Sequence, residues 1–207
     1  MEIRTRNILV GSLLGDGWLK GLSPRTGTST YYLKYQDKSL EYLKWIRHEV
    51  RELQPSELKI ITKYHQHYFY TKSRKDIGDL RKIFYPDEGK KRVPKNIHEL
   101  LTDPISLAIW YQDDGTLDKR WKYHCNAMLA TYCFPFRDCQ LLAKTVAQNF
   151  GIEMSVCRCQ MRGKMYYRLY VPSKYMGPFI KIVKPYIHPN YAYKISLEQA
   201  QFGQQQR

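Results

Sequence analysis

One phrase occurs twice in this chain. Leu9-Val10-Gly11-Ser12-Leu13-Leu14-Gly15-Asp16-Gly17 returns as Leu107-Ala108-Ile109-Trp110-Tyr111-Gln112-Asp113-Asp114-Gly115. Each copy is a run of apolar and small residues that ends in Asp-Gly. The closing aspartates, Asp16 and Asp114, stand about half a chain apart. Recurrence at that spacing marks the head of a repeated unit and constrains the chain to fold as two versions of one plan. Its 207 residues suffice for one sizeable core or two small ones.

The periodicity that follows each phrase supports this reading. In the first half the pattern predicts a helix over 5–15, capped at Thr5 and stopped at Gly15 or Gly17. A strand over 28–36 puts Ser29, Tyr31, Leu33 and Tyr35 on one face, with Lys34 and Gln36 on the other. A helix over 38–53 carries the stripe Leu40, Leu43, Ile46, Val50 and Leu53, and Pro55 ends it. A strand-like stretch, 58–72, turns near His65 to His67, and a helix over 73–84 turns Ile77, Leu80 and Phe84 inward. A charged loop, 86–94, follows.

The second half repeats the order: a helix over 106–112, a strand over 121–131, a helix over 136–150, a hairpin over 154–171 and a helix over 173–183. In the strand, Trp121, Tyr123, Cys125, Ala127 and Leu129 share one face, and Lys122, His124, Asn126 and Met128 the other. Residues 199–207 form a polar, Gln-rich tail. Two such units, 1–98 and 99–207, are expected to pack as a pseudo-twofold pair within a monomer.

Lys and Arg number 34 against 19 Asp and Glu, a formal charge of +15. That surplus points to a polyanionic partner, nucleic acid before an anionic membrane surface. No apolar run is long enough to span a bilayer, and the segment before Gly15 does not read as a signal peptide. The five cysteines, Cys125, Cys133, Cys139, Cys157 and Cys159, are odd in number and confined to the second half, which argues against a disulfide framework and for reduced surroundings. Cys157-x-Cys159 lacks a partner knuckle for a metal site and reads as buried strand cysteines.

A carboxylate where a helix ends faces the negative pole of the helix dipole. A divalent cation reverses that penalty, and magnesium favours carboxylates together with substrate phosphates. Asp16 and Asp114 are thus candidates to hold metal against scissile phosphates, with helix-end carbonyls nearby. A single Asp-Gly is an ordinary turn signal; two in matching places, each after an apolar run, are not. Lys91, with its neighbours Lys90 and Arg92 as alternatives, and Lys194 follow the last helix of their respective units and are candidates to stabilise charge or orient water. Gly11 and Gly15 lie on one helical face and permit close approach, whereas Ile109 and Asp113 hold the matching places, so the contact is expected to be asymmetric.

Strands can read the major groove. In the hairpin, Ser155, Cys157, Cys159 and Met161 form one face. Arg158, Gln160 and Arg162 take the other, continued by Lys164, Tyr166 and Arg168. Lys34, Gln36, Lys59, Lys63, His65 and Lys72 are the counterparts in the first half, and Lys122, His124 and Asn126 complete the second.

Residues 9–17 and 107–115 resemble the two signature helices of the LAGLIDADG homing endonucleases in their single-chain form. The segments Lys91-Arg92-Val93-Pro94-Lys95-Asn96 and Tyr193-Lys194 strengthen the resemblance, which covers roughly residues 6–197. It implies an α+β fold of two αββαββα units whose antiparallel sheets form a saddle on DNA. It also implies cleavage of both strands of a long, non-palindromic duplex, leaving 3′ overhangs, in intron or intein homing. By match of motif, Asp16 and Asp114 are the metal-binding aspartates, Gly15 and Asp113 supply helix-end carbonyls, and Lys91 and Lys194 are the basic active-site positions. Mg2+ is the expected cofactor, with Mn2+ a substitute. Some relatives act in RNA splicing as maturases, so a non-cleaving RNA-binding role and a DNA-binding regulator remain as alternatives.

Overall fold

The computed structural model describes residues 1–87, 89–121 and 124–196. Lys122, the His124 side chain and the Gln-rich tail lie outside the described residues. The chain runs α1 (Ile3–Leu14), β1 (Trp18–Leu19), β2 (Tyr31–Gln36), α2 (Leu40–Glu49), β3 (Lys59–Ile61), β4 (Gln66–Tyr70) and α3 (Lys75–Phe84). A single-turn helix, α4 (Ile97–Leu100), leads to α5 (Pro104–Asp114), β5 (Gly115–Trp121), β6 (His124–Ala130), α6 (Phe136–Phe150), β7 (Ser155–Met161), β8 (Lys164–Val171) and α7 (Ser173–Val183). The order αββαββα therefore occurs twice. Each run builds a four-stranded antiparallel sheet, in the orders β1-β2-β4-β3 and β5-β6-β8-β7. The architecture is α+β. The boundary expected after residue 98 falls inside α4, which packs on α6 of the second run.

The two signature helices, α1 and α5, pack against each other at the centre. Leu9, Val10 and Leu13 of α1, like Leu107, Ile109 and Trp110 of α5, are fully buried. A helix that is apolar on all sides must be a core helix. Gly11 lets the axes approach, because a β-carbon there would collide with the Ser106 backbone. Across the same contact Ser106 Oγ donates to the Asn7 carbonyl at 2.7 Å. Asp103 caps α5 by accepting the Ile105 amide at 2.9 Å, with Pro104 in the first turn. That cap starts α5 earlier than expected, and the helix runs through Asp114.

The sheets enclose the rest of the core. Tyr31, Leu33 and Tyr35 of β2 are buried while Lys34 and Gln36 are exposed, as the alternation predicts. Ile77, Leu80 and Phe84 of α3 face inward.

Several elements differ from the sequence pattern. β1 is a pair of residues following Gly17, and β5 carries Asp118 and Lys119; neither shows an apolar alternation, and both exist because a neighbouring strand supplies hydrogen bonds. The helix expected over 38–53 is the shorter α2, flanked by 3-10 turns at Asp37–Ser39 and Arg51–Leu53. A 3-10 turn at Thr62–Tyr64 and His65 at φ 49° divide 58–72 into β3 and β4.

The hairpin register corrects a larger expectation. Arg162 and Gly163 form a two-residue turn with φ of 49° and 76°, so Met161 pairs with Lys164. Opposed residues of an antiparallel pair project to one face. Lys164, Tyr166 and Arg168 therefore lie with Met161, Cys159 and Cys157, not with Arg158 and Gln160. Cys157 and Cys159 are half-buried on the sheet's outer face rather than buried in its core. Asn126, expected to face DNA, is 2% exposed and accepts a hydrogen bond from Ser173 Oγ at 2.9 Å. Its carbonyl oxygen is engaged in holding the start of α7 to the sheet. Among the described residues no helix is long and apolar enough to cross a membrane.

Candidate active site and nucleic-acid interface

Each signature helix delivers its aspartate just before a glycine that has no room for a β-carbon. α1 closes with the Gly15 amide donating to the Gly11 and Ser12 carbonyls at 3.2 and 3.0 Å, and the Gly17 amide returns to Ser12 O at 2.7 Å. A β-carbon at Gly17 would lie 2.5 Å from Ser12 Oγ, so the turn bearing Asp16 requires glycine after it. α5 ends on Asp114, and a β-carbon at Gly115 would strike the Tyr111 ring. Because α1 and α5 lie side by side, their C-terminal ends bring Asp16 and Asp114 together.

The two lysines cap these ends. Lys91 Nζ donates to the Gly15 and Gly17 carbonyls, both at 2.8 Å. Lys194 Nζ donates to the Gln112 carbonyl at 2.6 Å. A cation at a helix C-terminus opposes the dipole and satisfies carbonyls that have no helical partner. Both lysines are held in place from the opposite run. Asp138 of α6 takes Arg92 Nε at 2.9 Å and the Val93 amide at 3.0 Å, fixing the loop that carries Lys91. Tyr191 OH meets Ser39 Oγ, at the start of α2, at 3.0 Å and fixes the segment that carries Lys194.

The electrostatics are those of an anionic pair short of positive charge. Burial raises the Asp16 carboxyl, with Lys91 and Lys194 opposing. Burial, then the Asp16 charge, pushes Asp114 up to about 7 against the same two lysines. Burial lowers both lysines, and the surrounding aspartates partly restore them. Among the described residues no group of three His, Cys, Asp or Glu side chains is arranged for a metal. The donor set is instead two crowded carboxylates and helix-end carbonyls. That suits a hard cation which completes its shell with water and substrate phosphate. The carbonyl expected to serve from Gly15 already accepts from Lys91.

The side chain of Asp113 escaped the sequence reading, which gave it only a backbone role. Its Oδ1 accepts from Tyr35 OH at 2.5 Å and Tyr42 OH at 3.1 Å, and its Oδ2 from the Asp16 amide at 3.3 Å. Burial first, then the Asp16 charge, raises this carboxyl well above the usual range.

Asp16 opens onto two clefts. One, of about 420 Å³, is lined by Asp16, Asp113, Tyr35, Tyr193 and Lys194. The other, of about 410 Å³, runs over the outer face of the first sheet between Asp16, Trp18, Tyr32, Lys34, Ile61 and Tyr68. Register places Lys34, Gln36 and Lys59 on this face with Trp18, Tyr32, Tyr68 and Tyr70. Trp18 meets Tyr32 at 5.2 Å between ring centroids, Tyr32 meets Tyr70 at 5.3 Å, and Lys59 Nζ sits 4.8 Å over the Tyr70 ring. The sequence reading missed these rings; their signal was the aromatic content of alternate strand positions. Lys63 and His65 stand at the β3–β4 turn and Lys72 beyond β4, all exposed. In the second sheet, Lys164 and Arg168 occupy the matching outer face. Arg158 and Gln160 are exposed on the other, and Arg162 is at the turn.

The chain belongs to the LAGLIDADG DNA endonuclease family, whose profile matches residues 6–179. It is 26% identical over 213 aligned positions to the DNA endonuclease I-ChuI of Chlamydomonas applanata, covering 92% of this chain and 94% of that one. It is 33% identical over 106 positions to the cytochrome b mRNA maturase bI2 of Saccharomyces cerevisiae, covering 51% of this chain and only 23% of that longer protein. Among solved structures, the homing endonuclease I-WcaI bound to its DNA recognition sequence superposes with a TM-score of 0.78 at 22% identity, over 96% of this chain and 88% of that one. I-DmoI in complex with DNA and Mn gives 0.56 at 14% identity, over 87% and 96%.

Proposed function

We propose that this chain is a site-specific DNA endonuclease that cuts both strands of one long duplex and leaves 3′ overhangs, in the homing of an intron or intein. One observation carries the reading: two carboxylates, Asp16 and Asp114, meet at paired helix ends, each end capped by a lysine. A divalent cation, Mg2+ or in its place Mn2+, would be held by these carboxylates with the helix-end carbonyl of Asp113 and, on the lone pair that Lys91 leaves, that of Gly15. When bound it supplies charge to the scissile phosphate and lowers the pKa of attacking water. Lys91 and Lys194 place positive charge where the phosphate and leaving oxygen develop negative charge.

The outer faces of the two sheets hold the duplex. Lys34, Gln36, Lys59, Lys63, His65 and Lys72 serve one half-site, and Lys164 and Arg168 the other, with Arg162 at the hairpin turn beside them; Arg158 and Gln160 lie on the opposite face, and phosphate contacts supply most of the affinity. Lys122 and His124 keep their proposed place beside them. The two units divide at α4 rather than after residue 98, and the active species is the monomer. Incubation with a randomised library of long duplexes and Mg2+, followed by sequencing of cut ends, should return one asymmetric site. Absence of cutting with Mg2+ or Mn2+ defeats the reading.

A second reading follows from the relatives named as cytochrome b mRNA maturases, including that of Debaryomyces hansenii, 28% identical over 199 positions. A splicing role should survive D16N and D114N, which a splicing assay on the host intron decides.

A further inference from the structure

The signature phrases differ at the position just before each closing aspartate. Where the first helix closes with Gly15, the second carries Asp113. The three donors to the Asp113 carboxyl, Tyr35 OH, Tyr42 OH and the Asp16 amide, all belong to the first unit. Gly15 provides the space, since a β-carbon there would lie 2.5 Å from Asp113 Cβ. The phenols are themselves fixed: Tyr42 packs edge-on to Tyr191 at 4.8 Å between centroids and beside Trp45 at 5.8 Å.

The reverse contact does not exist. Gly15 has no side chain to send into the second unit. The position matching Tyr35, two residues beyond the equivalent Leu33 and Leu129, is Thr131. Thr131 Oγ1 donates to the Tyr167 carbonyl at 2.9 Å.

We propose that Asp113 is a positioning residue that fixes the Asp16 turn across the unit boundary. The aspartate of one cleavage centre then takes its geometry from a side chain of the other unit, and the reverse does not hold for Asp114. This rests on the endonuclease reading and deepens it. Asp16 lies between two glycines, a backbone that fixes little by itself. A hydrogen bond to its amide limits where the carboxylate points, and outer contacts of this kind commonly change metal-site performance by about 10–100-fold. The second centre has Asp114 within a helical turn and needs no such aid.

The test is D113N, in which an amide nitrogen replaces one accepting oxygen, with Y35F and Y42F as milder versions. Without DNA, hydrogen exchange at the Asp16 amide should rise about tenfold in D113N while Gly115 is unchanged. On the selected duplex with either strand end-labelled, D113N should shift the ratio of the two nicking rates about tenfold. Y35F and Y42F should shift it less and in the same direction. Unchanged exchange overturns the brace. Equal slowing of both strands, or an unchanged ratio, overturns the positioning role and leaves a structural one. If wild-type protein cuts no duplex, the endonuclease reading and the strand claim fall together; the exchange result still decides whether Asp113 holds the turn.

Discussion

The two sheets share a topology and a register but present different chemistry. In the first, Trp18 pairs with Tyr32 and Tyr32 with Tyr70, so rings cover the outer face next to Asp16. At the matching places of the second, Thr116 pairs with Met128 and Met128 with Tyr170. Further out, the first sheet offers Lys34 opposite Tyr68, whereas the second has Arg168 between Ala130 and Cys157. Among the described residues Arg168 Nε is buried without a hydrogen-bond partner. The backbone pattern thus belongs to the repeat, while the outward side chains have diverged. Rings and methyl groups suit thymine methyls, and arginine suits guanine edges. Under the proposed function, the halves are expected to read different sequences.

The comparison breaks most sharply at the carboxylates, where the halves are expected to be equivalent. D16N and D114N should each lower double-strand cleavage by on the order of 10³-fold while duplex binding without metal changes little, measured by strand-resolved cleavage beside a binding titration. A large fall from one aspartate alone would show a single working centre. K91M and K194M come next, each expected to reduce the cleavage rate about 10²-fold with KM nearly unchanged, because each removes a fixed charge near the reacting phosphate.

The outer faces sharpen the comparison. R168A should weaken binding by about 1–3 kcal/mol and relax preference only in the half-site under the second sheet, while K34A weakens all sequences alike and flattens the salt dependence. Site-preference profiles at two salt concentrations separate these outcomes. The smallest effect expected is thermal. Asp114 has a folded pKa of about 7, above the model-peptide value of 3.8. The stability it contributes is complete below the unfolded pKa and is lost as pH rises through the folded one. D114N should therefore melt several degrees higher than wild type in metal-free buffer, the gain growing from pH 4 to 7 and level above. Melting scans across that range check it, and a gain that is constant with pH would refute the assignment.

Much of this was legible in the sequence for physical reasons. The repeated phrase located both central helices because a fully buried helix has to be apolar throughout. The placement of Asp16, Asp114, Lys91 and Lys194 at the helix ends was visible because a carboxylate closing a helix and a cation capping it occupy particular ends. What stayed hidden depended on pairing. β1 and β5 owe their existence to a partner strand, and the hairpin faces turned on whether the loop held two residues or three. Asn126 showed a polar residue in alternation, but only the packed start of α7 reveals it as covered. The Asp113 carboxyl was invisible because its donors, Tyr35 and Tyr42, reach it from the other unit.

Asp138 and Ser39 stand at matching points, near the starts of α6 and α2, and each secures the segment bearing the other unit's lysine. The halves are therefore not interchangeable cassettes. A hybrid that takes its first half from one relative and its second from another inherits a lysine loop without the clasp shaped for it. Under the proposed function, recombinants of two such genes are expected to fold and bind DNA yet align their lysines poorly. Divergence of target sequence is then open to the outer faces alone, while the seam between the halves must change on both sides at once.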